Sequence, residues 1–138
     1  MYKTILVTLE ATATDRAIID HVKKLAKLMG SKVTLLHVAT GVPAQFSGSD
    51  AGGEEVVADQ RYIDKIQGEF AAEGISATAE LAFGDPVREI VKWVHLKGCD
   101  LVAMSTHGHK LVADLILGAT ASRVQHSISV PVLLLRAK

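Results

Sequence analysis

Five short apolar, β-branched runs recur along this chain, and the segments between them repeat their apolar residues at helical spacing. The runs are Thr4–Leu9, Val33–Val38, Ala77–Phe83, Leu101–Ser105 and Val130–Leu135. A chain that alternates these two periods buries both best by laying its strands parallel and returning each helix over a sheet face. Ile5-Leu6-Val7, Leu35-Leu36 and Leu101-Val102 are unbroken apolar runs, as strands covered on both faces should be. The pattern predicts an α/β protein with an open, parallel, five-stranded sheet and helices on both faces.

The helical segments carry their own punctuation. Ala17, Ile18, Val22, Leu25, Ala26 and Met29 share one face, and Gly30 follows as a C-cap. Val56, Ile63, Ile66 and Phe70 repeat the pattern up to Gly74. Asp85-Pro86 reads as an N-cap and first helical residue, with Val87, Ile90, Val91 and Val94 inward and Gly98 as the stop. A last helix should start near Gly118 and turn Ala121, Val124 and Ile128 inward before Pro131. Gly41–Gly53, with four glycines, two serines and a proline, reads as a loop leaving the second strand. Without repeat or linker, residues 1–138 read as one domain.

Composition narrows the partners. At 138 residues and 14.7 kDa the chain can bury one good core, and 49% apolar residues exclude a disordered protein. Fifteen basic and fifteen acidic side chains cancel, which argues against nucleic acid or an anionic membrane as partner. The single cysteine, Cys99, excludes an internal disulfide and suits a reducing compartment. The apolar stretch within Tyr2–Glu10 is too short for a signal peptide, and no stretch approaches the roughly 18 apolar residues of a membrane span. A cytoplasmic location is the expectation.

In open parallel sheets, ligands sit beyond the carboxyl ends of the strands, where the chain order reverses. Those ends carry Thr8-Leu9-Glu10, Val38-Ala39-Thr40, Gly84-Asp85 and Ser105–His109. The first strand–helix turn has no glycine, so the dinucleotide fingerprint is absent, and no Gly-x-x-x-x-Gly-Lys-Ser/Thr occurs. Gly108 and Gly118, with nine residues between them, read either as turn and helix-start glycines or as a phosphate cradle. Glu10 is either a solvated strand-end acid or a ligand contact. His107-Gly108-His109 lacks a third ligand nearby, so loop histidines fit better than a metal site. His37 reads as a hydrogen-bonded core histidine, Cys99 as a small hydrophobe, and Arg88 and Glu89 as helix surface.

Taken in order, Tyr2-Lys-Thr-Ile-Leu-Val, Leu-Leu-His-Val38, Gly84-Asp-Pro-Val-Arg-Glu-Ile, Asp100-Leu-Val-Ala-Met-Ser-Thr-His-Gly108 and Val130-Pro-Val-Leu-Leu-Leu-Arg136 resemble the universal stress protein family along the whole chain. The resemblance implies strand order 3-2-1-4-5, a homodimer formed through the C-terminal strand, and, in a subset of members, ATP with Mg as ligand. It also implies a Gly-x2-Gly-x9-Gly-Ser/Thr motif, from which this chain departs. Ser105 stands at the first glycine, Ala119 at the final hydroxyl, and Glu10 where aspartate is usual. Position by position, the resemblance puts Thr8, Leu9 and Glu10 on the base and ribose side and gives the Val38 backbone to adenine. Met104 and Ser105 form the floor, while His107, Gly108, His109, Gly118, Ala119 and Thr120 surround the phosphates.

The leading expectation is therefore a stress-response protein that binds ATP or a related adenine nucleotide. The alternative is a nucleotide-independent dimeric interaction module of the same fold. An enzyme comes last, because no triad, nucleophile elbow or carboxylate pair stands out.

Overall fold

A computed structural model describes residues 1–39, 50–107 and 120–137, with side chains left aside at 50–53 and 107. The elements are β1 (Thr4–Leu9), α1 (Asp15–Met29), β2 (Lys32–Ala39), α2 (Asp50–Ala72), β3 (Ala77–Phe83), α3 (Pro86–Lys97) and β4 (Leu101–His107). A helix, α4, covers 120–127 and leads to β5 (Val132–Ala137). All strand pairs are parallel, in the order β3-β2-β1-β4-β5. This is the order implied by the resemblance.

Alternating Cβ directions divide the apolar runs between two cores. Ile5, Val7 and Leu9 meet Ile18, Ile19 and Val22 of α1 and Ile63, Ile66 and Phe70 of α2 on one face. Leu6, Leu36, Val102 and Met104 meet Val87, Ile90 and Val94 of α3 and Ala121 and Val124 of α4 on the other. Each such side chain, fully buried, contributes roughly 1.5–3 kcal/mol.

The capping residues act as their sequence suggests. The Asp85 side chain accepts the Arg88 N–H at 2.9 Å, with Pro86 in the first helical position where no N–H is needed. Gly30 closes α1 at φ 69°, a left-handed conformation that costs glycine little. Asp100 accepts the N–H groups of Lys3 and Thr4 at 2.9 and 3.0 Å, aligning the starts of β1 and β4.

Several boundaries differ from expectation: β2 extends one residue at each end, to Lys32 and Ala39, and β5 runs on to Ala137. β4 runs two residues further, to His107. β5 starts at Val132 rather than Val130, because Pro131 has no N–H for the ladder; its carbonyl instead accepts from the Val102 N–H at 3.0 Å. Residues 50–53, read as the end of a loop, belong to α2 despite Gly52 and Gly53. The expected helix start at Gly118 lies outside the described residues. Among the described residues, no helix is long and apolar enough to cross a membrane.

Candidate functional site

The last β1–β4 pair is Val7↔Ala103, yet β1 continues to Leu9 and β4 to His107. Beyond that pair the two strands part. Here the chain order reverses, since β2 and β3 lie to one side of β1 and β4 and β5 to the other. A cleft of about 410 Å³ opens at this point.

Its walls come from five elements. Thr8, Leu9 and Glu10 arrive from β1, Leu36, His37 and Val38 from β2, and Met104 and Ser105 from β4. Pro86 and Ile90 of α3 and Thr120 of α4 complete the lining. Leu36, Ile90 and Met104 are buried members of one core and give the cleft an apolar wall. The β1–β2 ladder ends at Leu9↔His37, so Val38 stands one residue beyond it.

Seven residues singled out in the sequence meet in this cleft: Thr8, Leu9, Glu10, Val38, Met104, Ser105 and Thr120. His107 is the last residue of β4, backbone-paired with Ala137. Gly108, His109, Gly118 and Ala119 lie outside the described residues.

Glu10 is held by a turn with an unusual support. The Asp15 carboxylate, 0% exposed, accepts the Glu10 N–H at 2.9 Å and the Ala11 N–H at 2.9 Å. The Tyr62 hydroxyl of α2 donates to the same carboxylate at 2.9 Å. Ala11 sits at φ 63°, where a Cβ is unfavourable, so these charge-assisted bonds hold a strained turn. Burial first, and then the neighbouring Asp15 charge, push the Tyr62 phenol well above its ordinary range. Thr14 Oγ1 reaches Glu10 Oε2 at 3.5 Å.

An ion network fixes α2 against α1 and so keeps Tyr62 in place. Arg16 donates to both Glu69 oxygens, at 2.8 and 3.1 Å, and Lys23 donates to Glu69 at 2.8 Å. The bonds from Arg16, then those from Lys23, hold the Glu69 carboxyl down at about 2.

His37 is hydrogen-bonded, as the sequence led us to expect. Nδ1 lies 2.8 Å from the Leu9 carbonyl and Nε2 3.2 Å from Asp59 Oδ2 of α2. It also lines the cleft, which its place in an apolar strand did not suggest. Leu36, Pro86 and Ile90 were likewise legible only as core and cap residues. Asp15 was missed altogether; an acid in a helix's first turn was the available signal.

Among the described residues, no group of three His, Cys, Asp or Glu side chains is arranged to hold a metal ion. A second recess, of about 520 Å³, lies between α1 and β5 beside Arg16, His21, Lys24 and Arg136, and shares no lining residue with the cleft.

Sheet and cleft together define an open parallel α/β protein with a ligand-sized crevice at its switch point. The chain belongs to the universal stress protein family, whose model matches residues 1–136. It is 25% identical to universal stress protein YxiE of Bacillus subtilis (strain 168), the alignment covering 99% of this chain and 100% of that one. It is also 25% identical to universal stress protein MJ0577 of Methanocaldococcus jannaschii, over 100% of this chain and 97% of the other. The solved MJ0577 structure superposes with TM-score 0.85 at 26% identity, covering 100% and 98% of the two chains. A universal stress protein solved in complex with cAMP has TM-score 0.72 at 15% identity, covering 99% and 98%. One from Archaeoglobus fulgidus in complex with dAMP has TM-score 0.70 at 17% identity, covering 96% and 97%. At these last two identities the likeness is one of fold.

Proposed function

We propose that this chain is a single-domain stress-response protein that binds ATP or a related adenine nucleotide in the cleft. The observation that carries the reading is the convergence of Thr8, Leu9, Glu10, Val38, Met104, Ser105 and Thr120, which span 113 positions of sequence, on one crevice. The apolar wall of Leu36, Ile90 and Met104 suits a planar base, with Val38 at its edge. Thr8, Leu9 and Glu10 face base and ribose. Phosphates go to the start of α4, at Thr120, with His107, Gly108, His109, Gly118 and Ala119 assigned to them by the resemblance alone, and Mg bound through the phosphates. That two proteins of this fold bind cAMP and dAMP supports an adenine ligand.

Binding rather than catalysis is the reading. Glu10 is the one carboxylate among the described residues lining the cleft, and acid–base chemistry on phosphates wants a second group. Cys99 is buried, and burial pushes its thiol up to about 11, which suits packing in a reducing cytoplasm rather than nucleophilic work.

A second reading, a nucleotide-independent dimeric interaction module, is favoured by two features. Ala119 removes the motif's hydroxyl, and the edge strand β5 exposes Leu134. Mass spectrometry of small molecules released from protein purified without added nucleotide separates the two. About one adenine nucleotide per chain is the expected result. Empty protein that excess ATP does not stabilise against heat favours the module.

A further inference from the structure

One peptide group at the mouth of the cleft is held from both of its ends. The Leu9 carbonyl accepts from His37 Nδ1 at 2.8 Å, and the N–H of the same peptide unit, on Glu10, ends on the Asp15 carboxylate at 2.9 Å. Each holder is braced in turn from α2. His37 Nε2 lies 3.2 Å from Asp59 Oδ2, and the Tyr62 hydroxyl donates to Asp15 at 2.9 Å. Asp59 and Tyr62 are three residues apart on α2 and so share one of its faces. Neither lines the cleft, nor does any other described residue of α2.

The braces have a task because the turn beyond them is strained. Ala11, one residue on, sits at φ 63°. With both polar atoms of the Leu9–Glu10 peptide engaged, what this group controls is the direction in which Leu9 and Glu10 enter the cleft. Released from its braces, the turn would spend part of its time relaxed. A ligand that needs the braced form then binds more weakly by the fraction lost.

We propose that Asp59 and Tyr62 are positioning residues for nucleotide binding, acting on the Leu9–Glu10 peptide through His37 and Asp15, so that α2 sets the affinity of a cleft it does not line. This rests on the nucleotide reading above. A carbonyl oxygen only accepts, so His37 Nδ1 is the donor to Leu9, and Nε2 donates to Asp59 when the ring carries its second proton. An asparagine in place of Asp59 can serve either form of the ring, as acceptor or as donor, whereas an alanine serves neither. One such bond corresponds to roughly twofold to tenfold in affinity.

Calorimetric titration of ATP into wild type, Asp59→Ala, Asp59→Asn, Tyr62→Phe and Gln67→Ala tests this, at about pH 6, where an ordinary histidine is mostly protonated. Melting of each unliganded protein runs alongside. Gln67 is the control, since it ties α2 to the sheet by donating to the Ala77 carbonyl at 2.9 Å and does not touch the relay. Asp59→Ala and Tyr62→Phe should each bind ATP several-fold more weakly than wild type. Asp59→Asn and Gln67→Ala should bind as wild type does, whatever their melting temperatures. An Asp59→Ala or Tyr62→Phe protein that binds as tightly as wild type overturns the inference and leaves the nucleotide reading intact. So does a Gln67→Ala protein that loses as much affinity, because affinity would then follow the general stability of α2. An Asp59→Asn protein as weak as Asp59→Ala overturns it too, because the bond to His37 would then be irrelevant. Tyr62→Phe removes a single oxygen, so its comparison stands even if Asp59→Ala folds poorly. Wild type that binds no adenine nucleotide overturns both readings.

Discussion

The Tyr62 hydroxyl lies 2.9 Å from Asp15 Oδ2, and this bond joins α2 to the turn that carries Glu10 into the cleft. Asp15 is the hub of that turn, since the N–H groups of Glu10 and Ala11 end on the same carboxylate. The shape of the cleft's β1 wall thus depends on a residue that does not line it.

Asp15→Ala should cost about 3 kcal/mol, because two part-buried N–H groups and the Tyr62 hydroxyl lose a charged acceptor at once. Tyr62→Phe removes one bond and should cost about 1 kcal/mol. Ala11→Gly should do the reverse and gain up to about 1 kcal/mol, by relieving the left-handed backbone at φ 63°. Urea denaturation of the three variants checks all of these. An Asp15→Ala protein as stable as wild type would remove the turn's proposed organiser.

Much of the fold was legible because the two apolar periods differ so clearly. Ile5-Leu6-Val7 announced a strand with two buried faces, and Gly30 and Gly98 marked helix ends by the one property other residues lack. What was missed depended on tertiary partners. Proline is tolerated as a strand's first residue, and only the pairing with β4 shows that Pro131 gives the ladder its carbonyl and nothing more. Gly52 and Gly53 lower helix propensity, yet the helix they begin is held by packing further along, at Ile63, Ile66 and Phe70. The site divided the same way. Strand-end residues were found by topology, whereas Asp15 and His37 gain their roles from Tyr62 and Asp59, nearly fifty and more than twenty positions away.

Acid should expose the α1–α2 network. The folded Glu69 carboxyl sits at about 2, against 4.5 for a free one, so its stabilisation is complete above about pH 4.5. It is lost progressively as pH falls from there toward 2, because protonation favours the unfolded chain. Glu69→Gln should cost about 1 kcal/mol at pH 6, in keeping with a partly exposed ion pair. That difference should shrink by pH 3. Denaturant midpoints at the two pH values provide the check, and a constant difference would assign the loss to packing.

The edge of β5 should close on itself in a second copy. Leu133 and Leu135 pack inward against the α1–α2 core, but Leu134 is 42% exposed on an edge strand. A bare apolar edge aggregates, whereas antiparallel pairing across a twofold axis covers it. Light scattering after sizing should show a dimer for wild type and a folded monomer for Leu134→Glu. A wild-type monomer at micromolar concentration would rule the interface out.

The cleft itself is tested most directly by calorimetric titration of ATP with Mg²⁺ into protein stripped of bound ligand. Wild type should saturate at about one ATP per chain. Ala119→Ser, which restores a hydroxyl where the motif has one, should bind up to about tenfold tighter. Gly108→Val should bind more weakly, since a β-branched side chain resists the left-handed backbone a phosphate loop needs. No heat of binding in any of the three, or one affinity shared by all, would contradict a nucleotide cleft and leave the interaction module in its place.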